Sequence, residues 1–129
     1  MDGAKNLIPL RVALVAIGII FIVGLYTLTL VWPSGWTWHM DGPSTYLQMI
    51  LGVYATLGVF LLVAARSPLQ HLSVIWFTVW SSVVHGGIMT VQSLVYPEHR
   101  GHLLGDVPAL LLVALVLAIL TLRVTKART

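Results

Sequence analysis

The chain has 129 residues, of which 58% are hydrophobic and only 9% charged. Soluble domains carry about 25% charged residues, and a water-borne chain this short has too much surface for its volume to hide so much apolar area. Lipid is the solvent that fits. With no cysteine in the sequence, disulfides, thiolate metal sites, iron–sulfur clusters and thiol catalysis are excluded within this chain.

Lys5 and Arg11 precede an apolar run from about residue 12 to 32, which resembles the start of a signal peptide. That run is longer than a secretory core and has no A-x-A cleavage site, so it is expected to stay as a first helix. A bilayer core of about 30 Å takes about 20 apolar residues in a helix. Four segments meet this, at about 8–31, 45–65, 71–96 and 103–122. They are separated by Pro33-Ser34-Gly35, by Ser67-Pro68 and by residues 97–101. The expected fold is all-α, a single domain over 1–129 forming a four-transmembrane-helix bundle.

Basic residues favour the cytoplasmic side. With the N-terminus inside, Lys5, Arg11, Arg66, Arg123, Lys126 and Arg128 lie inside and Arg100 alone lies outside. This asymmetry predicts N-in and C-in topology in the inner (cytoplasmic) membrane. It also accounts for the net charge of +3 without nucleic acid, which would need a basic face with aromatic platforms. Four of the five histidines (39, 85, 99 and 102) then fall on the outer face or in the outer half, and His71 at the inner end.

The first outer loop, residues 32–44, carries Trp32, Trp36 and Trp38. An aromatic belt at the interface is the default reading. A lid over an outer pocket, favoured by the flanking Gly35, Gly42 and Pro43, is the sharper one. On the third helix His71, Thr78, His85 and Gln92 recur every seven residues, with Ser81 and Ser82 flanking them. Heptad spacing drifts only about 20° per repeat, so these groups form one stripe. Ionisable groups inside a membrane usually face the bundle interior, and Gly86 and Gly87 beside His85 permit a close neighbour. The stripe reads as interhelical hydrogen bonding or as ligand contact centred on His85. Trp76 and Trp80 are expected to face lipid or a neighbouring helix.

His102 and Asp106 are four apart, a spacing that lets a carboxylate orient an imidazole. Against that, Asp is a favoured helix cap and Pro108 suits a first turn, so Asp106 is equally read as the start of the fourth helix. Gln48 and Gln92 lie about one turn in from the outer surface. With His85, His102, Asp106, Ser81 and Tyr54 they are the candidate ligand-binding residues of one outward-opening pocket. Gly52, Ala55 and Thr56 continue the Gln48 face with small groups, and Tyr46 offers another hydroxyl. His39, Asp41, Glu98 and His99 add potential metal donors, but no local metal signature is present and no metal site is assigned. A two-haem helix spacing between His71 and His85 lacks its matching second helix. No cofactor is named, and whether the chain is an enzyme is left open.

The stretches 52–62 (GVYATLGVFLL), 76–85 (WFTVWSSVVH) and 101–109 (GHLLGDVPA) resemble a family of small bacterial four-helix integral membrane proteins of unknown function. By layout alone the chain also resembles DoxX-like membrane proteins. The first resemblance implies the same four-span fold and transfers no activity. The functional expectation is a bundle whose outer polar pocket binds a small apolar or amphipathic ligand. The alternative is an accessory or structural subunit, packing in a larger membrane complex or as a homo-oligomer through small-residue faces at Gly18, Gly24, Gly52 and Gly58.

Overall fold

The structure is a computed structural model that describes residues 2–38 and 44–127, with side chains from Leu7 onward. His39, Asp41, Gly42, Pro43 and Arg128 lie outside the described residues, as does the side chain of Lys5. The helices are α1 (Asp2–Ile19), α2 (Leu25–Val31), α3 (Pro33–Trp36), α4 (Thr45–Arg66), α5 (Leu72–Val95) and α6 (Asp106–Lys126). A π turn (Ile20–Gly24) joins α1 to α2, and 3-10 turns occupy Pro68–Gln70 and Pro97–Leu103. Four stretches are long and apolar enough to cross a membrane: Leu7–Val31, Thr45–Arg66, Leu72–Val95 and Pro97–Lys126. Many large apolar side chains point outward, among them Val12, Val53, Phe77, Trp80 and Leu115. Such a surface suits lipid and makes this a multi-pass membrane protein by length and composition.

The helices pack in the ring order α4, α1, α6, α5, while α4 and α5, consecutive in sequence, meet only slightly. The start of α1, the end of α6 and the 67–71 turn share one end, the terminus end. The α3 segment packs on the 97–103 turn at the other, the loop end. Arg11 on α1 donates through Nη2 to the carbonyl of Arg66, the last residue of α4, at 3.3 Å. A guanidinium there meets the negative end of the helix dipole.

Two glycines set the α1–α4 crossing. A methyl group on Gly58 would sit 2.6 Å from the Gly18 carbonyl oxygen, and one on Gly18 would sit 2.9 Å from the Gly58 oxygen. The backbones therefore touch, as small-residue membrane packing allows. Gly18 and Gly58 are thus used inside the molecule rather than on an outer face, and Gly24 is covered by Ile20 of its own segment. Of the four glycines expected on docking faces, only Gly52 has open space around it.

The dry core, with Leu10, Leu14, Leu61, Ile75 and Leu117 fully buried, lies toward the terminus end. On the first span its positions run Leu10, Leu14 and Ile17 on α1, then Phe21 in the π turn. That run stops at the π turn, where the Leu25 N–H bonds to the Ile20 carbonyl five residues back. The inserted residue rotates the next segment off the packed face. Accordingly α2 buries no residue and packs on the π turn and α3 rather than on α4 or α6. A hollow remains beneath it.

Candidate functional site

That hollow is a cavity of about 380 Å³, within the range of small-molecule pockets. Its wall is nearly all apolar, including Ile17, Phe21, Leu51, Met89 and Leu110. The polar groups on it are few: Tyr54, His85, Asp106, Thr29 and the indoles of Trp36 and Trp38.

The α4 helix reaches the cavity along Leu47, Leu51 and Tyr54, and the same face continues to Gly58 and Leu61 in the core. Tyr54 is held edge-on by Phe21, with ring centroids 5.0 Å apart. Its hydroxyl lies 2.6 Å from His85 Nδ1. A phenol is the better donor and an imidazole nitrogen the better acceptor, so Tyr54 Oη–H donates to Nδ1. His85 then carries its proton on Nε2, which has no partner among the described residues. By helix rise, Tyr54 and His85 each sit about 14–15 Å from the loop end of their helices, near mid-membrane depth.

At the loop end a second group gathers around Asp106. Trp38 Nε1–H donates to Oδ2 at 2.8 Å, and His102 Nδ1–H donates to Oδ1 at 2.9 Å. Both oxygens accept, as befits a carboxylate. The Trp38 indole stacks on the His102 ring at 4.0 Å and 24°, and His99 packs beside both, 4.7 Å from Trp38 and 5.7 Å from His102. His102 is 1% exposed and Asp106 6%. The helix does begin at Asp106, but its side chain makes no cap and Gly105 holds the cap position. Both readings of this residue are thus partly met: it opens α6, and its carboxylate orients an imidazole. Its charge also suits a first helical turn.

The α3 segment roofs the cavity because two glycines let it come close. A methyl on Gly101 would meet the Ser34 carbonyl oxygen at 2.5 Å, and one on Gly105 would collide with the Gly35 backbone. This docking turns Trp36 and Trp38 onto the cavity, while Trp32 stays exposed. The three indoles therefore split between a belt-like position and a roof. Trp36 Nε1 is buried and has no hydrogen-bond partner among the described residues.

The structure brings together only part of the expected pocket. Tyr54, His85 and Asp106 line one cavity, whereas His102 stands behind Asp106 and makes no wall. Gln48 faces outward, one residue off the Leu47 face. Gln92 is also exposed and belongs to an outer groove with Val83, Val84, Gly87, Ile88 and Val91. Ser81 is half-buried and donates to the Thr78 carbonyl within its own helix. His85 pairs with Tyr54 and not with Asp106. The heptad stripe divides in the same way: Thr78 is buried and bonds to Val74, while His71 caps its turn against Ser67. Phe21 and the α1 wall are additions that sequence reasoning missed. Among the described residues, no three His, Asp or Glu side chains converge as a metal-binding set.

No curated protein and no solved structure matches the chain, and no similarity to DoxX-like proteins is shown. One family model matches residues 4–128, and the chain belongs to that family, DUF6632, a family of unknown function.

Proposed function

We propose that this protein binds a small apolar or amphipathic ligand in the cavity of its loop half, with His85 as the central polar group. The observation that carries the reading is a pair of unused donors on an otherwise apolar wall. Among the described residues Trp36 Nε1–H is buried without a partner, and the half-buried His85 keeps Nε2–H free because Tyr54 occupies Nδ1. A buried donor left unpaired costs about 1–3 kcal/mol, so an occupant with an accepting oxygen at the Trp36 indole recovers that cost. The ligand class that fits is an apolar body bearing carbonyl, ester or carboxyl oxygen. In this reading the loop end faces outward from a bacterial inner membrane, since Arg11, Arg66, Arg123 and Lys126 cluster at the terminus end.

The test is native mass spectrometry of protein released from mild detergent, comparing wild type with His85→Leu. A bound small molecule on wild type that the folded variant loses is the expected result. Equal occupancy on both, or a bare chain in each, overturns the assignment.

One observation favours the rival reading of an accessory subunit. The outer groove on α5 holds Gly87 with open space above it and Gln92 exposed within a span. A neighbouring helix carrying a polar side chain would fit there. Ile88→Trp should then break co-purification with the larger complex, while His85→Leu leaves it unchanged.

A further inference from the structure

A ligand in this cavity needs a way in. On the water side the described residues put α3 in the way, with Trp36 and Trp38 on the cavity and Trp38 tied to Asp106. The open rim lies elsewhere. Ala16, Ile20, Ile50 and Leu112 line the cavity and are also exposed on the outer surface. Ile50 stands alone on α4, whereas the other three belong to α1, the π turn and α6 and flank a slot between the first and last spans. Ala16 and Ile20 are at the middle of the Leu7–Val31 span, level with hydrocarbon rather than headgroups. A hydrophilic molecule has no route to that rim. One dissolved in the bilayer does.

The shape of the cavity narrows the class further. Its wall on the first span extends from Ala13 on α1 to Thr29 on α2, about 24 Å at helical rise. An extended hydrocarbon chain matches a wall of that length lined almost wholly by apolar side chains. Alanines at 13, 16 and 109 keep the passage clear where larger side chains would close it. The two free donors lie at different depths, His85 near the middle and Trp36 at the loop end.

From these features, and resting on the pocket reading, we infer that the ligand is a single-chain lipid amphiphile, with an oxygen acceptor on its head, that enters sideways from the bilayer between α1 and α6. Its chain lies along the α1 wall under α2, and its head reaches the Trp36 indole. The π turn is what makes room, because α2 leaves the bundle face there and buries nothing of its own.

The experiment uses full-length protein in dioleoyl phosphatidylcholine vesicles containing a trace of palmitic acid with a diazirine on its chain. After irradiation, adducts are mapped by peptide mass spectrometry. Met89 and Leu110 line the cavity but are 4% and 7% exposed, so a chain that only wets the outside cannot reach them. Adducts on these two residues are expected in wild type. They should be lost in Ala16→Trp and in Leu112→Trp, two plugs placed at exposed rim positions that the fold tolerates. Adducts on the outward-facing Phe77 and Trp80 should persist in both. Labelling confined to outward residues, or interior labelling indifferent to both plugs, overturns the inference. If native mass spectrometry still finds a His85-dependent occupant in that case, the pocket reading stands and only chain entry falls. Absence of both the occupant and the interior adducts removes the two together.

Discussion

Replacing Asp106 tests whether the loop-end network holds the cavity roof. In Asp106→Leu the indole N–H of Trp38 and Nδ1–H of His102 both lose their acceptor. Each orphaned buried group costs about 1–3 kcal/mol, so the variant should be destabilised by about 2–6 kcal/mol. Asp106→Asn differs in kind. Its amide oxygen can still accept from Trp38, and its NH₂ can donate to His102 once the imidazole moves its proton to Nε2. The loss then reduces to the charge assistance of two bonds, about 1–2 kcal/mol. Sodium dodecyl sulfate titration, followed by near-ultraviolet circular dichroism and tryptophan emission, measures both. The Leu variant should also shift emission to the red, since Trp38 is released from its stack on His102. Equal midpoints for Leu and Asn, with no change in emission, would refute the assignment of Asp106 as the acceptor that fastens the roof.

Three further outcomes rest on named contacts. Gly58→Ala forces a methyl against the Gly18 carbonyl and should cost about 1–3 kcal/mol, as overpacking does, whereas Gly52→Ala should be neutral because its site is open; thermal melts in detergent compare them. Gly105→Ala collides with the Gly35 backbone and should lift α3, seen as faster collisional quenching of Trp36 and Trp38 by acrylamide with the helix content unchanged. Tyr54→Phe removes the hydroxyl that holds His85 and should weaken ligand binding by up to about tenfold, the equivalent of about 1.4 kcal/mol, while Gln92→Leu, on the outer groove, should leave it unchanged.

The four spans are legible in the sequence because a bilayer demands about 20 apolar residues of each, and Pro33, Pro68 and Pro97 mark the breaks. The His102–Asp106 pair is legible from spacing, although a 3-10 turn precedes the helix there. Which face of each helix points inward is far less so. In α4 the residues on both sides of the Leu47 to Leu61 face are apolar too, so composition cannot separate the Leu47 face from the Gln48 face one residue away. In α5 the polar stripe misleads at Gln92, because three heptads rotate by about 60° on a straight helix and Ser93 takes the buried place. The π turn at IFIVG has no sequence mark, yet it decides where the cavity opens. Trp38 and Asp106 are 68 residues apart, and only the docking of α3 on Gly101 and Gly105 brings them together.

The ring order has a consequence for biosynthesis. Consecutive spans α4 and α5 scarcely touch, and α5 rests mainly on α6. When α5 first enters the bilayer, α4 offers it little beyond the Tyr54–His85 bond, and the side chains that will be buried on it, such as Thr78, Ser82 and Ser93, lack most of their cover. They face lipid or the insertion machinery until the last span arrives. The C-terminal helix is therefore the closing piece, lying between α1 and α5, and its arrival in one stroke covers the polar face of α5, forms the far wall of the cavity and supplies the carboxylate that holds the roof.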